Sequence, residues 1–98
     1  MTSRTYRLRS KLQVYPGMAA WRFLILDVGH SAAIRRAHGA GRPGFGSIPV
    51  EATIGKTSWL TSIFPTKDGP YVLPLKAAVR RKEDIDDDDT VSFVIRIR

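Results

Sequence analysis

Three segments of this chain alternate apolar and polar residues with a period of two, and that pattern restricts the fold more than any other feature. In Thr5 to Val14, the residues Tyr6, Leu8, Leu12 and Val14 share one face and Arg7, Arg9, Lys11 and Gln13 the other. Ile48, Val50, Ala52 and Ile54 repeat the pattern, as do Val91, Phe93, Ile95 and Ile97. Successive side chains of a strand point to opposite faces, so each segment is predicted to be a half-buried strand. Three more β-rich segments lie between them. Trp21 to Val28 has a continuous Phe-Leu-Ile-Leu centre, which predicts burial on both faces. Thr57 to Phe64 follows a turn at Gly55-Lys56, and Tyr71 to Leu73 follows one at Lys67-Asp68-Gly69.

Glycine and proline punctuate these strands. Pro16-Gly17 predicts a turn and Gly39 to Gly46 a mobile loop, while Pro49 inside its strand predicts an edge position or a bulge. Two short helices complete the reading. Ser31 to His38 has Ser31 as its expected cap and a narrow stripe of Ala32, Ala33, Ile34 and Ala37, with Arg35 and Arg36 off the stripe. Pro74 is expected to open a second helix over Leu75 to Glu83, where its missing N–H costs nothing. A chain of 98 residues suits one domain with one modest core. The expected fold is mainly all-β: one small barrel of about six strands over residues 1–98, with two short helical connections.

A weak repeat runs through this pattern. Ser31-Ala32-Ala33-Ile34-Arg35-Arg36 matches Lys76-Ala77-Ala78-Val79-Arg80-Arg81, and each hexamer follows an apolar strand and precedes an alternating one. A true duplication predicts two halves related by a pseudo-twofold, with the two Arg pairs in equivalent places.

Composition removes several functions. The chain has no cysteine, which excludes disulfides, thiolate metal sites and thiol nucleophiles. Apolar runs such as Phe23-Leu24-Ile25-Leu26 fall far short of the ~20 residues of a membrane helix, and the basic start leads into an alternating segment. A cytoplasmic protein with no membrane partner is the expectation. The formal net charge is +7, and its whole excess lies in residues 1–42, where eight basic side chains face the single acid Asp27. A basic surface of this kind either draws polyanions or serves as a solvated face.

Motifs that suggest chemistry mostly fail on spacing. Gly55-Lys56-Thr57 has the end of a phosphate-binding loop, but Val50 stands where that loop needs glycine. Asp86 to Asp89 lacks the glycine and glutamate of a calcium loop and reads as a solvated acidic turn that partly neutralises Arg80, Arg81 and Lys82. His30 and His38 lack partner ligands, so no metal or cofactor is expected. Thr57, Ser58, Thr61 and Ser62 surround Trp59 without a base to activate them, so no catalytic residue is expected and the protein is read as a non-enzyme.

Two binding readings remain. In the first, Arg7, Arg9 and Lys11 alternate along one strand face at ~6.7 Å intervals and track a nucleic-acid backbone. Arg35, Arg36, Arg80 and Arg81 add phosphate contacts. Such a basic strand equally discourages edge-to-edge aggregation. In the second, Lys56, Trp59, Thr61 and Lys76 line a shallow groove for a small anionic or planar ligand, or a protein partner; otherwise Trp59 is a core residue.

The run from Ile54-Gly55-Lys56-Thr57-Ser58-Trp59 to Pro65, followed by Tyr71-Val72-Leu73-Pro74-Leu75-Lys76 and Arg80, resembles a prokaryotic domain-of-unknown-function family. That family often occurs fused to a YdeI/OmpD-associated domain. Trp21 and Phe23 match its aromatic second strand, and the resemblance covers roughly residues 5–98. It implies a closed double-split β-barrel, a fold shared with AbrB/MazE-type regulators. Leu73-Pro74 through Arg80, Asp89 and Val91 is similar to the signature of those regulators. Asp84 and Asp88 stand where the family usually has glycine, and Asp27 where it has a Leu-Pro pair.

Overall fold

The computed structural model describes residues 4–15, 21–39, 46–67 and 69–98. The turn expected at Pro16-Gly17, most of the loop expected over residues 39–46, and Asp68 lie outside the described residues. Six strands and two helices follow in the order β1 (Thr5–Tyr15), β2 (Trp21–Ile25), α1 (Val28–His38), β3 (Ile48–Ile54), β4 (Thr57–Pro65), β5 (Tyr71–Pro74), α2 (Ala77–Lys82) and β6 (Thr90–Ile97). The strands close into a barrel in the order β1-β2-β5-β4-β3-β6, with every pair antiparallel. This is the expected closed, mainly β fold with two short helices. No helix among the described residues is long and apolar enough to cross a membrane.

Alternation becomes the barrel wall. Ile48, Val50, Ala52 and Ile54 of β3, and Val91, Phe93, Ile95 and Ile97 of β6, all point into the core. Leu8 and Leu12 do so from β1, but Val14 is exposed, because by that point β1 has left β6 and pairs only with β2 at the barrel's end.

Strand β2 departs further from expectation. It ends at Ile25, and its apolar centre is not buried on both faces: Leu24 and Leu26 are buried, whereas Trp21 and Ile25 are exposed on the outer face. Val28 belongs to α1 and is 72% exposed.

Pro49 lies in an interior strand. Its carbonyl accepts from the Arg98 N–H, so its missing N–H falls on the β6 side, where the registered pairing starts only at Val50 and Ile97. A closed barrel has no edge, and the proline is tolerated where the neighbouring strand runs out.

The helix ends also differ from expectation. Asp27, not Ser31, caps α1: its carboxylate accepts from the His30 N–H at 2.8 Å. Ser31 is instead buried. Its hydroxyl donates to the Leu26 carbonyl, just past β2, and accepts from the Tyr71 N–H at 3.0 Å, tying α1 to β5. Pro74 ends β5 and pairs with Phe23, so α2 starts only at Ala77. Ile34 and Val79 anchor the two helices to the core.

Asp84 and Asp88 have φ of 55° and 70°. Aspartate is among the few residues that adopt this left-handed conformation at modest cost. Gly55 has φ of 56° in the two-residue turn between β3 and β4, and a Cβ there would collide with the Glu83 carboxylate. That carboxylate accepts from Thr57 Oγ1 at 2.6 Å and clamps the hairpin to the end of α2.

The strand pairings have a real symmetry of connection, in a register that matches Lys76 with Asp27 and so lies four residues off the repeated hexamers, which align Lys76 with Ser31. Exchanging β1 with β4, β2 with β5 and β3 with β6 leaves the set of paired strands unchanged. The exchange also maps the Leu26 N–H to Tyr71 carbonyl bond onto the Leu75 N–H to Arg22 carbonyl bond, both 2.9 Å. Leu24 and Leu73, paired directly, sit at the centre of the exchange, and both are fully buried.

Candidate functional site

Each half of the barrel contains a strand that leaves its neighbour. β4 pairs with β5 only through Phe64 and Pro65, so Thr57 to Ser62 is free of β5. The chain after β5 crosses this gap. A groove of about 350 Å³ results. Trp59, Leu60 and Thr61 of β4 form one wall, and Pro74, Leu75, Lys76 and Ala77 the other. Trp21 and Arg22 of β2 and Arg80 of α2 close its end.

Three of the four residues expected to line a groove, Trp59, Thr61 and Lys76, therefore meet there. Lys56 does not line it; it belongs to the exposed β3–β4 turn. Trp59 satisfies both expectations at once. It packs partly against the core, over the small Ala52 opposite it in β3, and leaves part of its ring on the groove. Lys76 occupies the N-cap position of α2, where its ammonium has no acceptor to offer the helix N–H groups, and its exposed side chain lines the groove.

Sequence reasoning missed Trp21 and Arg22 as groove residues. The readable signal was an arginine between two aromatics in an otherwise apolar strand. Trp21 is 47% exposed and its ring lies 5.7 Å from that of Phe23. The Arg22 fork holds Asp87 through two bonds, Nε to Oδ1 at 2.9 Å and Nη2 to Oδ2 at 3.0 Å. That bidentate bond holds the Asp87 carboxyl below its ordinary range, with the Arg22 and Arg80 charges adding to the effect, and it raises Arg22 in turn. The acidic turn thus neutralises Arg22 first, rather than only the basic run of α2 as expected.

The basic residues expected to bind nucleic acid do not converge. Arg7, Arg9 and Lys11 are exposed along β1, facing the neutral residues Val94, Ser92 and Thr90 of β6. Beside Lys11, the acidic turn grips the strand: the Leu12 N–H donates to the Asp89 carbonyl and the Asp88 N–H to the Leu12 carbonyl. Arg35 straps α1 down, donating to the Gly69 carbonyl at 2.7 Å with its guanidinium 4.9 Å from the Tyr71 ring centre. Arg36 is exposed, and Arg81 lies beside Asp84 and Asp86. Arg80 alone of this set lines the groove; its Nε donates to the Leu75 carbonyl at 3.2 Å.

A second cleft, broader and more open at about 600 Å³, lies beside α1 and takes Arg7 and Arg9 together with Asp27 and His30. There Asp27 Oδ2 meets His30 Nδ1 at 2.6 Å. The His30 backbone bond, reinforced by its ring, holds the Asp27 carboxyl below its ordinary range. No group of three or more metal-ligating side chains occurs among the described residues.

A family model described as "Domain of unknown function (DUF1905)" matches residues 9–95. No curated protein matches the chain.

Proposed function

The chain belongs to the DUF1905 family, and from that premise we propose that it is a cytoplasmic, non-enzymatic binding module that takes a small anionic ligand in the groove between β4 and α2. The observation that carries this reading is the meeting of Trp59, Thr61, Lys76 and Arg80, from separate elements, on one concave surface. A flat apolar body packs on indole, the Thr61 hydroxyl orients it, and the two cations hold its charge.

The test is a fluorescence titration of the Trp21→Phe variant, in which Trp59 is the remaining tryptophan, against a panel of anionic aromatic compounds. Saturable quenching whose midpoint shifts to about tenfold higher ligand concentration in Lys76→Ala is expected. A panel that leaves Trp59 emission unchanged in the folded protein refutes the groove.

The row Arg7, Arg9 and Lys11 favours a second reading, backbone binding of nucleic acid, since no acid stands opposite these residues in the β6 ladder. The resemblance of the closing motif to AbrB/MazE-type regulators belongs to this reading and supports it by analogy alone. It expects DNA affinity that falls steeply with salt, with a shallower slope in the Arg7→Ala/Arg9→Ala/Lys11→Ala variant. Absence of binding at low salt removes it.

A further inference from the structure

One of the cations that line the groove, Arg22, already holds an anion of the chain's own making. Asp87, on the turn between α2 and β6, reaches Arg22 from 65 residues away and fills both donors of one edge of its guanidinium. Arg22 and Arg80 line the groove, and Asp87 lies close enough to both for their charges to act on it. An Arg fork of this kind matches a planar carboxylate with two parallel bonds. The Asp87 side chain is nevertheless 44% exposed, so it leaves the site by rotating into water without opening the core.

We propose that the ligand is an aromatic carboxylate whose carboxylate takes the place of Asp87 on Arg22 while its ring lies against Trp59 and Trp21, so that Asp87 is a built-in competitor for the site. This rests on the groove reading above and adds the chemical class of the ligand and the device that limits its affinity. The volume of about 350 Å³ sits at the lower end of small-molecule sites and suits a ring system with one acidic arm. Arg22 supplies the directional bonds, while Lys76 and Arg80 supply charge. An occupant without a carboxylate leaves the Arg22–Asp87 pair closed and loses those bonds. A phosphate monoester carries the same charge in tetrahedral form, and its comparison separates shape from charge.

Calorimetric titration with indole-3-acetate, its neutral counterpart 3-methylindole, and phenyl phosphate tests this on the wild type, Asp87→Asn and Arg22→Ala, each shown to be folded by its thermal transition. Removing an exposed competing carboxylate is expected to tighten indole-3-acetate about threefold to fivefold in Asp87→Asn and to leave 3-methylindole unchanged. Arg22→Ala is expected to weaken the carboxylate and to abolish the gain from Asp87→Asn in the double variant. Wild-type binding of indole-3-acetate that is unchanged or weaker in Asp87→Asn overturns the competitor while leaving the groove in place. Preference for phenyl phosphate over indole-3-acetate overturns the carboxylate assignment. Failure of all three compounds to bind the folded wild type and Asp87→Asn overturns the groove reading itself, and the inference with it.

Discussion

The cleft beside α2 and the cleft beside α1 share matched positions in a barrel whose pairings are unchanged when its halves are exchanged, yet the helix N-cap residues that line them carry opposite charge. Counting along each half, Lys76 and Asp27 are the matching residues, both at the N-cap of their helix. Asp27 uses its carboxylate to cap α1 and to hold His30, so its polar atoms are committed to the fold. Lys76 does not cap α2, and its charge faces the groove. The walls differ in the same sense. Leu12 and Ile63, both fully buried, are matching positions, and Leu8 and Trp59 lie four residues before each. Leu8 faces the large Phe93 and fills its half of the core, while Trp59 faces the small Ala52 and extends to the surface. One copy of the motif is thus spent on structure, and the other leaves its charge and ring accessible. The symmetric strand pairing supplies the frame, and a few side chains decide which gap becomes a site.

The largest expected effect tests the frame itself. Leu24→Ala and Leu73→Ala remove matched, fully buried side chains, and each is expected to cost about 2–5 kcal/mol in denaturant unfolding. Unequal costs outside that range would show that the halves are not mechanically equivalent. The matched caps should then separate. Lys76→Ala is expected to weaken binding of an anionic ligand about tenfold, the loss of one charge-assisted contact, with stability changed by less than about 0.5 kcal/mol. Asp27→Ala is expected to do the reverse, costing about 1 kcal/mol of stability with groove binding unchanged.

That cost should depend on pH in a defined direction. The Asp27 carboxyl lies below its ordinary value in the folded protein, so its stabilisation is full above about pH 4 and is lost as pH falls through the lower folded value. The gap between wild type and Asp27→Ala should therefore narrow on acidification, whereas a gap that widens below pH 4 contradicts the capping role. The smallest effect concerns Ser10, whose buried hydroxyl makes no hydrogen bond among the described residues. Ser10→Ala removes an unsatisfied group and should leave stability unchanged or raise it by up to about 1 kcal/mol, measured by thermal unfolding.

Much of the barrel was legible because strands announce themselves by period. β3 and β6 match their alternating segments almost residue for residue, and the Gly55 turn lies where glycine was needed. Legibility failed where a local rule met a non-local fact. The continuous apolar centre of β2 was read as doubly buried, but only its inner face meets the core, since nothing among the described elements covers the outer one. By local rules Pro49 signals an edge position or a bulge, whereas closure removes edges and leaves its missing N–H beyond the registered end of β6. Ser31 was read as a cap, but its hydroxyl finds a partner 40 residues away.

The groove divides along the same line. That Trp59, Thr61 and Lys76 share a surface was readable from one strand face and the start of the next helix, all within a short stretch of chain. That Arg22 joins them, and that Asp87 sits upon it, was not. Residue types and their spacing determined the strands, the turns, the two helices and the uneven charge, because those depend on neighbours a few positions apart. Strand order, the two unequal clefts and the Arg22–Asp87 pair were decided only on closure of the barrel. The hydrophobic pattern states that a side chain is to be buried or exposed, and it does not state which distant side chain it will meet.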